Sequence, residues 1–76
     1  MNVIVYSTTS CPYCNMAKDY FKANNVEYTD YNVGEDQAKG QEMVQKSGQM
    51  GVPVIDINGS IIIGFDKERI NAALGL

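Results

Sequence analysis

Histidine and tryptophan are absent from this 76-residue chain, and cysteine and proline occur only twice each. Without histidine there is no Cys–His catalytic dyad. A structural zinc site needs about four N, S or O ligands, mostly Cys and His. Two cysteines fall short of that set, so no metal site is expected. Basic residues are also few: Lys18, Lys22, Lys39, Lys46, Lys67 and Arg69 are scattered along a chain of net charge −3. No basic stripe is available to track a phosphate backbone, which argues against nucleic acid as a partner. No apolar run approaches the roughly 20 residues that span a bilayer, so no membrane association is expected. The opening stretch "MNVIVYSTTS" has neither a charged leader nor a long apolar core and does not read as a signal peptide. A cytoplasmic protein is the expectation, and permanent disulfides are rare in that compartment.

What is present suits a small globular unit. Hydrophobic residues make up 45% of the chain and charged residues 20%, so residues 1–76 read as a single domain. Val3-Ile4-Val5-Tyr6 is a short β-branched run of the kind that forms a buried central strand. Polar "STTS" follows, with Thr9 and Ser10 as N-cap candidates, and Pro12 suits the first turn of a helix. That helix is predicted from about Pro12 to Asn24, with Ala17, Tyr20 and Phe21 on one face. Asn24-Asn25 ends it. Val26 to Asn32 alternates apolar and polar residues and reads as a second strand. Glu35 to Lys46 is a second helix, acidic at its start and basic at its end, with Ala38, Met43 and Val44 on a thin apolar face. Gly48 is its stop. "VPVIDI" and "SIIIG" are two apolar runs separated by Asn58-Gly59, the strongest short-range hairpin signal. Asp66 then caps a last helix, "KERINAAL", with Ile70, Ala73 and Leu74 inward.

The resulting order is β-α-β-α-β-β-α, an α/β fold. The first strand–helix–strand unit implies a parallel pair joined by a right-handed crossover. The late hairpin adds antiparallel strands. A mixed four-stranded sheet with helices on both faces follows.

The two cysteines, Cys11 and Cys14, stand where the first strand gives way to the first helix. The N-terminal end of a helix carries partial positive charge and unpaired N–H groups, which favour a thiolate over a thiol. Cysteines so placed can have pKa values lowered to about 3.5–7.5. Cys14 lies one turn deeper, near the same face, within reach of a mixed disulfide held on Cys11. This assigns Cys11 as the attacking nucleophile and Cys14 as the resolving thiol. A structural bond between them would close a tiny loop and stabilise little. A C-x-x-C pair beside a βαβ pattern signals thiol–disulfide exchange. Further on, Val52-Pro53 opens the third strand. Frequency alone favours a trans bond there, since only about 5–6% of X–Pro bonds are cis.

"CPYC" after the first strand, "GVPV" at the third and "IIIGFD" before the last helix together resemble the glutaredoxins. The likeness runs along essentially the whole chain and is nearest to the short glutaredoxin-like redoxins of bacteria and archaea. It implies a thioredoxin fold with sheet order 2-1-3-4 and three flanking helices. It implies that Val52-Pro53 is cis and stands beside the cysteines, with the Val52 backbone pairing with a bound glutathione or substrate peptide. Pro12 and Tyr13 fall within the active-site motif, and Tyr13 would shield the thiol and line the groove. Gly64 and Phe65 would border the ligand, with Gly64 admitting its backbone. The end of the last helix, near Asp66 and Lys67, would receive a ligand carboxylate, as helix N-termini do.

The resemblance thus implies a monomeric dithiol–disulfide oxidoreductase acting on protein disulfides and glutathione mixed disulfides. No tightly bound cofactor is implied, and glutathione is the co-substrate. Three positions depart from the glutathione-using pattern: Thr8 where Lys is usual, Gly51 where Thr is usual, and Phe65 where a second Gly is usual. Phe65 resembles redoxins that draw electrons from a thioredoxin-reductase-type flavoprotein. Two rival readings are an iron–sulfur cluster carrier, bridging protomers through Cys11 and external thiols, and a redox-sensing adaptor without turnover. Among the remaining residues, Tyr6 reads as strand-end packing and Met50 as a loop residue covering the core. Lys18 lies one helical turn beyond Cys14, in place to help hold the thiolate, but a solvated face is the favoured reading; Asp19 and the charges from Asp36 to Glu42 also read as solvent-facing.

Overall fold

The β-branched run near the start of the chain forms strand β1, Val3–Ser7, in a computed structural model that describes residues 1–76. It is followed by α1 (Pro12–Ala23), β2 (Thr29–Asn32), α2 (Gln37–Ser47), β3 (Val54–Ile57), β4 (Ser60–Ile63) and α3 (Lys67–Leu74). The strands lie in the order β2-β1-β3-β4. β1 runs parallel to β2, with Val5 opposite Asp30, and antiparallel to β3, with Tyr6 opposite Val54. The expected topology is therefore the observed one. No helix is long and apolar enough to cross a membrane.

Strand periodicity divides the core in two, because successive side chains point to opposite faces. Val3 and Val5 join Ile55, Ile57, Ile62, Ala17, Phe21, Ile70 and Leu74 under α1 and α3. Tyr6 and Val54 join Met43 under α2. The expected apolar face of α2 is narrower than its sequence pattern: Met43 is buried, whereas Ala38 and Val44 are exposed. A polar cluster fills the remainder. Asp56 is 7% exposed in β3; it accepts from Lys46 Nζ at 2.8 Å and from the Gly59 N–H at 2.8 Å. Lys46 also donates to the Tyr6 hydroxyl at 2.8 Å, and that hydroxyl donates to Glu42. Tyr6 is thus a hub between sheet and helix, and Glu42, though its side chain is 37% exposed, accepts from Tyr6 and pairs with Lys39 rather than standing free in solvent. Desolvation works against the Lys46 ammonium, but the hydrogen bonds it donates to Asp56 and Tyr6 outweigh it and raise the Lys46 pKa. The hydrogen bond from Tyr6 holds Glu42 below the usual glutamate value.

Element boundaries move by a few residues for identifiable reasons. The second strand begins at Thr29, not Val26. Asn25 takes a positive φ of 57°, and the Val26 N–H closes back on the Phe21 carbonyl at 2.8 Å. Val26 is thereby spent on the helix terminus and turned onto the core, leaving residues 26–28 as a connection. α2 starts at Gln37 because Asp36 is its N-cap, accepting from the Lys39 N–H at 3.1 Å. The hairpin turn has Asn58 at φ 52° and Gly59 at φ 92°, the two positive values of a type I′ turn.

Candidate active site

The strand directions bring distant segments to one end of the sheet. β1 ends there at Ser7 and leads to Cys11; β3 begins there after Val52-Pro53; β4 ends there before Gly64. The Gly64 N–H donates to the Pro53 carbonyl at 2.8 Å, tying the last two segments together. The Val52-Pro53 bond is cis, as the family likeness implies and against the general frequency.

Cys11 itself is the N-cap of α1, displacing the Thr9 and Ser10 candidates. Its sulfur accepts the Cys14 N–H at 3.1 Å, a role usually taken by a Ser, Thr, Asp or Asn oxygen. Caps are chosen by which side chain reaches the orphan N–H groups of the first turn, and here sulfur does. Cys11 and Cys14 are joined as a disulfide with Cα atoms 5.2 Å apart. Cys11 is 8% exposed and Cys14 is 0% exposed. Cys11 is thus the less deeply buried residue of the pair. No group of three or more His, Cys, Asp or Glu side chains is placed to hold a metal ion.

Between the two cysteines, Tyr13 is 62% exposed, with Pro12 also exposed. Val52 is half-buried and Pro53 buried. Gly64 has φ 81°, and apart from its chain neighbours nothing approaches its Cβ position within 4 Å. A left-handed backbone with open space beside it explains glycine there. Phe65 turns onto the large core cluster and meets Tyr20 edge-on at 5.8 Å. Asp66 caps α3 through the Arg69 N–H at 3.2 Å and pairs with Arg69 Nε at 3.6 Å. Lys67 sets its ammonium 5.1 Å from the Tyr20 ring centroid. The backbones of all ten expected site residues thus gather at one end, while the side chains of Phe65 and Lys67 engage Tyr20. Met50 is 81% exposed rather than covering core. It borders a groove of about 510 Å³ along α2, lined also by Val33, Gln41, Met43 and Val44, which contains neither cysteine.

Nearby, Lys18, expected on a solvated face, is instead part of a polar cluster whose other members, Asp30 and Ser7, the sequence reading did not single out. Lys18, four residues beyond Cys14 on α1, is ion-paired with Asp30 Oδ2 at 3.0 Å, and its side chain is 20% exposed. Asp30 Oδ1 accepts from the Ser7 hydroxyl at 2.6 Å. Ser7 is buried at the end of β1. The available signal was alternation: Ser7 shares the α1 face with Val5, and Asp30 stands opposite Val5 once the register is known.

A four-stranded sheet of this order, with a cysteine pair opening its first helix, defines a thioredoxin-fold redox protein. Among solved structures, the chain superposes on the thioredoxin-like protein BC3987 with a TM-score of 0.89 at 28% identity, covering 95% of this chain and 99% of that one. It superposes on a buckwheat glutaredoxin–glutathione complex with a TM-score of 0.76 at 28% identity, covering 96% and 69%. Residues 3–62 match the Glutaredoxin family model. Similar proteins include a glutaredoxin-like 8.6 kDa protein in the rubredoxin operon of Clostridium pasteurianum, 46% identical over 88% of this chain and 89% of that one. Glutaredoxin 3 of Escherichia coli K12 is 35% identical over 86% and 78%. The chain belongs to the glutaredoxin family and is a thiol–disulfide oxidoreductase.

Proposed function

We propose that Cys11 is the nucleophile and Cys14 the resolving thiol of a cytoplasmic, monomeric electron carrier that uses glutathione. The carrying observation is the asymmetry of the pair: Cys11 is 8% exposed and its sulfur accepts the Cys14 N–H, while Cys14 is 0% exposed. A helix-capping sulfur gains more from that N–H as an anion than as a thiol. Cys11 thiolate attacks one sulfur of a substrate disulfide, forming a mixed disulfide and expelling one substrate thiolate. Cys14 then gives its proton to the expelled substrate thiolate and attacks the Cys11 sulfur. The second substrate thiolate leaves, Cys11–Cys14 is oxidised, and the substrate has gained two electrons. Cys14 reaches Cys11 from one helical turn away, the Cα atoms standing 5.2 Å apart, within the range a disulfide spans.

The substrate groove runs past Pro12 and Tyr13, along the backbone of Val52-Pro53, and over Gly64 to the start of α3 near Phe65, Asp66 and Lys67. Three features support this path: Gly64 leaves room, the Phe65 ring is engaged by Tyr20, and the helix end offers N–H groups to a carboxylate. Its occupants are disulfide-bearing proteins and glutathione. Support for glutathione as reductant comes from the complex of the buckwheat relative. Reduction of the Cys11–Cys14 disulfide by glutathione with glutathione reductase is expected to outpace reduction by thioredoxin reductase with NADPH. The reverse order assigns the donor to the flavoprotein. Cys11→Ser is expected to abolish reduction of a disulfide substrate, and retained activity in that variant would refute the assignment.

A further inference from the structure

The Lys18–Asp30–Ser7 cluster lies on the α1 face of the sheet, at the end that carries the cysteines. Lys18 follows Cys14 by four residues and Cys11 by seven, so all three share one stripe of α1. Helical side chains lean toward the N-terminus, which lays the Lys18 stem over the turn that holds Cys14. Its ammonium is fixed by Asp30 Oδ2 at 3.0 Å, and Asp30 is fixed by Ser7 at 2.6 Å, four residues before Cys11. The chain thus carries a cation one helical turn along α1 from Cys14 and an anion that neutralises it.

We propose that Asp30 is a positioning residue for the exchange reaction: by holding and neutralising Lys18, it sets how strongly that cation favours the thiolate forms of Cys11 and Cys14. The idea rests on the exchange chemistry assigned to the pair. Other charged and titratable groups around the cysteines are few. Tyr13 is exposed on α1, Asp66 pairs with Arg69, Lys67 faces Tyr20, and residues 50–54 before and within β3 carry no charge. Around the ion pair itself, α1 adds exposed Asp19 and Lys22, and the β2 region adds exposed Glu27 with half-buried Tyr28 and Tyr31.

Removing either partner breaks the same ion pair but leaves opposite charges behind. Asp30→Asn leaves an uncompensated cation, which stabilises thiolate and hence the reduced protein. Lys18→Met leaves an uncompensated anion and does the reverse. The experiment measures the equilibrium constant for reduction by dithiothreitol and the pH midpoint of Cys11 alkylation. Asp30→Asn is expected to raise the constant and lower the midpoint, by about two- to fivefold in thiolate fraction, and Lys18→Met to change both in the opposite sense. Lys18→Arg is expected to restore wild-type values. The differences are expected to shrink on adding 0.5 M salt, roughly as screening of half-exposed charges requires. Lys18→Gln replaces Lys18→Met if the latter does not fold. Shifts of the same sign in both variants, or none in folded variants, would overturn the role of Asp30. A wild-type protein with no reversible midpoint against dithiothreitol would overturn the exchange reading instead.

Discussion

Asp56 shows how much a single residue decides in this small fold. It interrupts an apolar strand, yet both carboxylate oxygens are used, one by Lys46 and one by the turn N–H of Gly59. Truncating it leaves a desolvated ammonium and an unpaired N–H, the costly way to break a polar contact. Because the Lys46 side chain is 30% exposed, the loss is smaller than for a fully buried pair. Asp56→Ala is expected to destabilise by about 2 kcal/mol, read from the urea midpoint. Glu42 adds a pH signature. Its folded pKa lies below its ordinary value, first through the Tyr6 hydrogen bond. Its stabilisation is therefore fully present above the ordinary glutamate value of about 4.3 and is lost as the pH falls from there through the lowered folded value. The melting-temperature gap between wild type and Glu42→Gln is expected to narrow on acidification across that range. None of this cluster was legible in the sequence. Tyr6, Glu42, Lys46 and Asp56 are far apart along the chain, and only the pairing of β1 with β3 under α2 makes them neighbours.

At the scale of elements, local chemistry was the better guide. Asn58-Gly59 fixed its turn because few other pairs adopt two positive φ values. Asp66 and Gly48 marked helix ends for equally local reasons: a carboxylate that reaches N–H groups, and a residue at ease with φ 75°. Two elements misled. The N-cap of α1 was given to Thr9 or Ser10 because oxygen caps are the rule, whereas the reactive sulfur caps its own helix. Val26 to Tyr28 read as strand because alternation cannot distinguish a pleated pair from a connection that tucks Val26 inward. Two glycines offer a contrasting test. Gly59→Ala forces a side chain into φ 92° and is expected to cost about 1–2 kcal/mol. Gly40 lies inside α2, where an added Cβ meets Val33 atoms at an ordinary 3.7 Å. Gly40→Ala is expected to stabilise by about 0.5–1 kcal/mol, and thermal melts of the two variants should shift in opposite directions.

For the whole molecule, topology makes the site. One parallel and two antiparallel pairings send the ends of β1 and β4 and the start of β3 to the same edge. Cys11, Pro53 and Gly64, distant along the chain, come together at one end of the sheet. That convergence was legible because the βαβ unit and the hairpin constrain strand direction before any contact is known. What the pattern could not reveal was the unequal burial of the two cysteines, which depends on how α1 packs on the sheet. In the proposed mechanism that burial divides their labour. The Cys14→Ser variant, exposed to a disulfide-bearing peptide and analysed by intact mass and peptide mapping, tests that division. A single stable mixed disulfide on Cys11 is expected, with no adduct in the Cys11→Ser variant. An adduct formed at Cys14 when Cys11 is replaced, at a comparable rate, would contradict it.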